Sequence, residues 1–259
     1  MAFKTWHTGV HIQQDRVQIV ALTKEKSAWG LRRWWSIPLA EGIIRDGQIL
    51  KPDLLVVALR GWRRMLPLHH RVFLAFPAAR TLQKILPRPA MTLRDSEQVS
   101  WVSSALAREL EMPPESLCFD YAQDTFSHAY HVTAAQNKEV ATLLSLAETL
   151  RLRLVAVTPD AGALVSLLPS IAPARCVAWR DKNQWLWAMR HQWGRRLTCE
   201  ADNVAELAAL LALSADDIVL FDDDDRDPFA LLSRCHPPLP ECGAEFTVAL
   251  ALAMSEMPV

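Results

Sequence analysis

Twice along this 259-residue chain, three short strands joined by tight turns lead into a helix and then one more strand. In the first course residues 9–12, 16–22 and 28–36 read as strands, with turns at Gln13-Gln14-Asp15 and at 24–27. Pro52 opens a helix, because a proline in the first turn lacks only an N–H that has no partner there anyway. Leu55, Leu59, Trp62 and Leu66 then recur at helical spacing, Pro67 ends the run, and 71–76 is a buried strand. In the second course the strands fall at 175–180, 184–189 and 195–199. A helix follows Asn203-x-x-Glu206, then a strand at 218–221 and a last apolar helix over 245–254. Between the two courses lies a smaller α+β stretch. It has a strand at 80–86, a helix opened by Thr92-x-x-Asp95 with Val99, Val102, Leu106 and Leu110 on one side, a hairpin over 118–135, a helix over 138–150 and a strand over 152–158. Each course predicts a mixed sheet with a meander at one edge and helices on its faces, so the chain is α/β with two related lobes and an insert. The expected divisions are 1–90, 91–150 and 151–259.

With 51% hydrophobic and 22% charged residues, the chain can bury a core and disorder is excluded over most of its length. Trp29, Trp34 and Trp35 suit a half-buried strand face and read as core. No stretch approaches the ~20 apolar residues that cross a bilayer, and residues 1–10 lack the apolar run of a signal peptide. Five cysteines without a C-x-x-C argue against a disulfide framework and fit a reducing compartment. Cys235, His236 and Cys242 cluster loosely but have no second ligand pair at zinc spacing, and His69-His70 reads as an exposed loop, so no metal is expected. Ser127-His128 lacks the G-x-S-x-G turn of a nucleophile elbow.

Net charge is −1, but it is unevenly spread. Residues 1–94 carry 16 Lys/Arg against 5 Asp/Glu, and residues 95–259 carry 12 against 24. Either the basic half meets an acidic partner, or it complements the acidic half. Arg60, Arg63, Arg64 and Arg71 gather near the end of the first helix, where the helix dipole favours cations. Glycine is scarce: 8 residues, where average usage would give about 18. Phosphate-binding loops need glycine for tight turns and close backbone approach, and no G-x-x-x-x-G-K or G-x-G-x-x-G occurs.

Several segments, in order, resemble the PilM-type type IV pilus assembly family of the actin-like superfamily. Gly9 to Gln18 is similar to that family's first phosphate hairpin, G-x-D-I-G-S-S-S-V-K. Pro38-Leu39-Ala40-Glu41-Gly42 with Asp46-Gly47-Gln48-Ile49 resembles P-L-P-E-G…D-G-x-I, and residues 73–80 resemble an A-L-P-x-x-x strand and turn. Ala135-Gln136-Asn137-Lys138-Glu139-Val140 resembles A-A-P-K-E-V. Val155-Ala156-Val157-Thr158-Pro159 resembles V-x-V-D-V-E-P, and residues 249–253 are similar to a terminal A-L-G-L-A helix. The resemblance implies an actin-like, ribonuclease H-like two-lobed fold with an inserted subdomain. It also implies a cytoplasmic adaptor that binds the N-terminal peptide of a PilN-type inner-membrane protein, in a groove between 1–90 and 91–150, and reaches the membrane through that partner.

Set against the actin-like pattern, the phosphate-clamping positions have changed chemistry. His11 stands at the first metal-organising aspartate, Gln13 at a glycine, and Gln14-Asp15 in the turn. Ala178-Trp179-Arg180 aligns with the second clamp, D-I-G, and Phe221 with Asp222 and Asp223 aligns with the glycine-rich adenosine turn. Magnesium prefers carboxylate oxygens and phosphate prefers bare backbone, so the expectation is a pseudo-ATPase with no cofactor. For the peptide groove the expected residues are Arg80 and Gln83 on a strand and Trp101 and Val102 on the insert helix. Two readings compete. One is an active or nucleotide-sensing ATPase. The other is a nucleic-acid binder built on the basic half with its interleaved tryptophans; the adaptor reading needs no direct nucleic-acid contact.

Overall fold

The computed structural model describes residues 5–124, 128–222 and 226–255. They form two compact units, one from residues 1–79 with 145–259 and a smaller one from 80–144.

The larger unit holds both strand-rich courses. Strands β1 (Trp6–Ile12), β2 (Arg16–Glu25) and β3 (Ala28–Pro38) form the antiparallel meander. A two-residue ladder of β4 (Ile44–Arg45) and β5 (Gln48–Ile49) turns the chain through Asp46 and Gly47, both at positive φ. Helix α1 (Pro52–Met65) buries Leu55, Val56, Leu59 and Trp62. Strand β6 (His70–Phe76) then lies parallel to β1, and the later β10 (Leu154–Pro159) parallel to β6, giving the order β10-β6-β1-β2-β3.

The smaller unit is a three-stranded antiparallel sheet of β7 (Leu82–Pro87), β8 (Leu117–Asp124) and β9 (Ala129–Gln136), ordered β7-β9-β8, with α2 (Asp95–Leu110) on one face. Because β7 pairs with β9, residues 82–87 belong with this sheet. Helix α3 (Asn137–Thr149) leads back to the larger unit. Two details of α2 differ from the sequence reading. The helix starts at Asp95, with the extended Arg94 as its N-cap and the Glu97 carboxylate accepting the Arg94 N–H at 2.8 Å. The three-residue reach that matters is therefore Arg94 to Glu97, not Thr92 to Asp95. Val99 is 47% exposed, because the buried stripe runs through Gln98, Val102, Ala105 and Leu106.

After β10, a short helix α4 (Asp160–Ala163) runs into a 3-10 segment, Leu164–Ser170. Strands β11 (Cys176–Arg180), β12 (Gln184–Met189) and β13 (Trp193–Leu197) repeat the meander. Helix α5 (Val204–Leu210) begins where the Asn203 side chain accepts the Glu206 N–H, and β14 (Ile218–Phe221) returns parallel to β11. The order β13-β12-β11-β14 repeats the first sheet up to its fourth strand. Helix α6 (Thr247–Met254) is buried along its whole length and packs on β1, β2 and β6. It comes close because Gly9 faces Ala249 and Ala253. A Cβ at Gly9 would overlap the Ala249 carbonyl oxygen and approach the Ala253 nitrogen to 2.7 Å. One core joins Val20, Leu22, Phe73, Val177, Trp179, Val219 and Phe221 to α6, and a second lies between β11, β12, β14 and α5. Two sheets of this order, each a meander with parallel strands added at the β1 or β11 side, make the actin-like, ribonuclease H-like fold.

Candidate functional site

Two hairpin turns face one cleft in the larger unit. The β1–β2 turn brings Gln13, Gln14, Asp15 and Arg16, and the β11–β12 turn brings Asp181, Lys182 and Asn183. Trp179, Arg180, Asp222, Ala244 and Glu245 complete the lining of a cleft of about 570 Å³. Each turn arises because two adjacent strands of a meander are closed tightly. The Gln13 N–H donates to the Arg16 carbonyl at 2.9 Å, and the Asp181 N–H to the Gln184 carbonyl at 2.9 Å. Those bonds occupy the first N–H of each turn within its own hairpin. A third, on Lys182, donates to the Asp181 carboxylate at 2.6 Å.

The side chains bring both signs of charge to the cleft, Asp15, Asp181, Asp222 and Glu245 against Arg16, Arg180 and Lys182. The Asp15 carboxylate accepts from Arg16 Nε and Nη2 at 3.2 Å each, and this bonding holds it below the usual carboxylate range. Arg16 Nη1 also donates to both oxygens of Glu245, at 2.9 and 3.0 Å, and Gln18 Nε2 donates to Glu245 at 2.6 Å. Arg16 and Gln18 stand two residues apart on β2 and so share one face of the strand, with Gln18 fully buried behind Arg16. Glu245 stands two residues before α6 and is brought there by the packing of that helix on β1. The guanidinium of Arg180 lies over the Trp185 ring, 5.0 Å from its centroid.

His11 lies beneath this surface. Its ring meets Trp179 edge-on at 5.6 Å, and Gln13 Nε2 is 3.4 Å from its Nδ1. Burial pushes its pKa down to about 3, so it is a neutral imidazole. Ala178 is fully buried under the second turn, and Trp179 Nε1 donates to the Ala244 carbonyl at 2.8 Å. Thus Gln13, Gln14, Asp15, Arg180 and Asp222 meet at one cleft, while His11 and Ala178 lie below it. Asp223, with the rest of the acidic run to Asp225, falls outside the described residues. Sequence reasoning missed Arg16, Gln18 and Glu245. The available signal was positional: a helix packed on β1 must bring the residues just before it to the first hairpin.

In the smaller unit Val102 is buried in the core between α2 and the sheet, so it supports the helix from inside. Trp101 is half-buried, 5.9 Å from the Tyr130 ring. Arg80 pairs with Glu139 through its Nε at 2.6 Å and through a second, shorter bond from Nη2. Gln83 and Ile85 share the exposed face of β7, while Lys84, paired with Glu109, and the buried Leu86 turn toward α2. In the sheet order β7 is an edge strand.

His70 ties the loop after α1 to the sheet: its Nδ1 lies 2.7 Å from the Pro67 carbonyl, and its Nε2 accepts the Arg153 N–H at 3.2 Å. With Nε2 accepting, Nδ1 carries the proton, so this ring is a strut. The Cys235 thiol donates to the Phe229 carbonyl at 3.4 Å. Among the described residues no three His, Cys, Asp or Glu gather in a metal-ligating group. Ser127 lies outside the described residues.

No family model matches the chain. Over 257 residues it is 47% identical to the DNA utilization protein HofM of Escherichia coli (strain K12), covering 99% of each chain. The PilM–PilN type IV pilus biogenesis complex contains a chain that superposes with a TM-score of 0.69 at 15% identity, over 97% of this chain and 98% of that one. The cytoplasmic domain of EpsL, an inner-membrane component of the type II secretion system of Vibrio cholerae, gives 0.57 at 11% identity, over 96% and 95%. At those identities the two structures establish the fold alone.

Proposed function

The chain belongs to the family of the DNA utilization protein HofM, and on that premise we propose that it is a cytoplasmic adaptor of a type IV pilus-like or DNA-uptake apparatus, with no ATPase activity. Its work is the use of external DNA, done by holding the cytoplasmic N-terminal peptide of a PilN-type (HofN-like) inner-membrane protein. It sits at the inner face of that membrane through this partner. The family relationship and the PilM-like fold support the assignment. No described helix is long and apolar enough to cross a membrane, which is compatible with attachment through a partner.

The observation that carries the loss of nucleotide chemistry is the state of the two turns. Neither contains glycine, the N–H groups of Gln13, Asp181 and Lys182 are already donated within the chain, and Asp15, Asp181, Asp222 and Glu245 line the space between. A triphosphate would meet four carboxylates beside the three cations Arg16, Arg180 and Lys182, with three of the turn N–H groups already used. What remains is a two-lobed body in which Arg16 and Glu245 tie β2 to the segment before α6. The partner peptide is assigned to β7, where an extended segment adds as a fourth strand beside Gln83 and Ile85. Strand addition draws affinity from main-chain bonds and specificity from alternate side chains. Arg80 and Trp101 flank this strand as further contacts.

Calorimetric titration of the purified protein with the partner's N-terminal peptide tests the adaptor reading. Saturable one-to-one binding in the micromolar range is expected, weakened at least fivefold by Ile85→Pro, which removes a main-chain donor from the edge strand. No heat at several hundred micromolar peptide contradicts it.

A further inference from the structure

Helix α1 has two apolar faces, and only one is buried. Leu55, Val56, Leu59 and Trp62 pack inward. On the opposite side Leu54, Val57, Gly61 and Met65 recur at i, i+3, i+7 and i+11, a second helical stripe turned to solvent. Leu54 is 47% exposed, Val57 59% and Met65 42%, and Leu68, just past the helix, is 74% exposed. A Cβ at Gly61 would meet nothing within 4 Å, so the stripe is open along its middle.

Cations edge this stripe. Arg60 and Arg64 are exposed on the adjoining side of α1, against a single acidic residue, Asp53, at the far end. Arg63 reaches over to donate to the Leu150 carbonyl at 2.9 Å, which brings the exposed Arg151 and Arg153 to the same end of the unit. His70 feels both Arg63 and Arg153, and its pKa is lowered by burial and then by those two charges. The helix dipole accounts for a cation or two in the last turn. It does not account for guanidinium groups gathered from α1 and the β10 approach beside exposed Leu, Val and Met.

We infer that the outer face of α1 is a docking surface for an anionic lipid bilayer, with Leu54, Val57, Met65 and Leu68 entering the headgroup boundary and Arg60 and Arg64 pairing with phosphates. This inference rests on the reading that the protein works at the inner face of a membrane, and adds a direct contact to the one made through the partner. A surface helix with an apolar stripe and arginine flanks is the composition that binds at an interface. Arginine is suited to the headgroups because its planar fork pairs with phosphate oxygens in two bonds. The exposed Arg60, Arg64, Arg151 and Arg153 at this end of the unit complement a negatively charged leaflet. Such a contact is weak and reversible alone. Joined to a peptide tether it becomes intramolecular, and the tether's effective concentration multiplies the two.

Co-sedimentation of the full chain, without any partner, uses vesicles of phosphatidylcholine alone and of phosphatidylcholine with 30 mol% phosphatidylglycerol, roughly the anionic content at which surface potentials matter. Binding to the anionic vesicles alone, falling as salt is raised, is expected. Arg60→Glu/Arg64→Glu and Leu54→Ser/Met65→Ser should each lower the anionic-vesicle affinity at least tenfold. Circular dichroism melts confirm that these exposed changes leave the fold intact, and the peptide titration confirms that the adaptor site is untouched. Equal binding to both vesicle types, binding to neither, or a stripe-dependent dimer in sedimentation velocity with no vesicle binding overturns the inference. Loss of peptide binding in the unaltered protein would instead strike the adaptor reading and leave this result standing.

Discussion

Two buried titratable groups show how single residues set the character of the larger unit. His11 is neutral because burial beside Trp179 penalises its charged form. Its folded pKa lies below the unfolded value, so its contribution to stability is full above about pH 6.5 and is lost as pH falls toward 3. Asp160 is the opposite case. Its carboxylate is buried and accepts the N–H groups of Ala78 at 2.8 Å and Ala161 at 2.7 Å, yet burial outweighs those bonds and raises its pKa to about 6. The folded state therefore binds the proton more tightly than the unfolded one, and the group costs most above pH 6 and least below pH 4. Asp160→Asn keeps the acceptor oxygen and removes the charge. Urea unfolding should show a gain of about 1–3 kcal/mol at pH 7, shrinking by about 1 kcal/mol at pH 5. A gain that is the same at both pH values, or a loss at pH 7, would contradict this account of Asp160.

At the scale of elements, α6 packs directly against β1. The helix carries no polar face, so only a fully enclosed position suits it, and Gly9 opposite Ala249 and Ala253 permits the approach. Gly9→Ala should destabilise the protein by at least about 3 kcal/mol or prevent folding, measured by chemical denaturation, since a backbone-to-backbone overlap cannot be relieved by a rotamer change. An unchanged midpoint would mean that α6 does not seat on β1 as described. Most strands and the larger helices were legible because turns such as Gln13-Gln14-Asp15 and Asp181-Lys182-Asn183 punctuate clean runs, and because α1 carries its apolar period openly. The segment Asp160–Ser170 was not legible. Short and buried on most sides, it has no polar face to mark a helical period. The start of α2 was misplaced because Thr92-x-x-Asp95 and Arg94-x-x-Glu97 offer similar spacing two residues apart, and only the backbone decides between them. At the candidate cleft, the two turns were legible as turns, and Gln13, Gln14, Asp15 and Arg180 do meet there. The ion pair of Arg16 with Glu245 was not, because 229 residues separate its partners and only the docking of α6 brings them together.

For the molecule as a whole, the two hairpin turns present Gln13, Asp15, Asp181 and Lys182 to one cleft, tied within the chain, with the Arg16–Glu245 pair on its wall. Under the proposed function, a cleft whose wall is held by its own side-chain bonds suits an adaptor better than a motor. Isothermal titration of the purified, peptide-competent protein with Mg-ATP tests this most directly. The account predicts no saturable heat up to millimolar nucleotide, with peptide affinity unchanged in its presence. Magnesium-dependent binding in the micromolar range would contradict it.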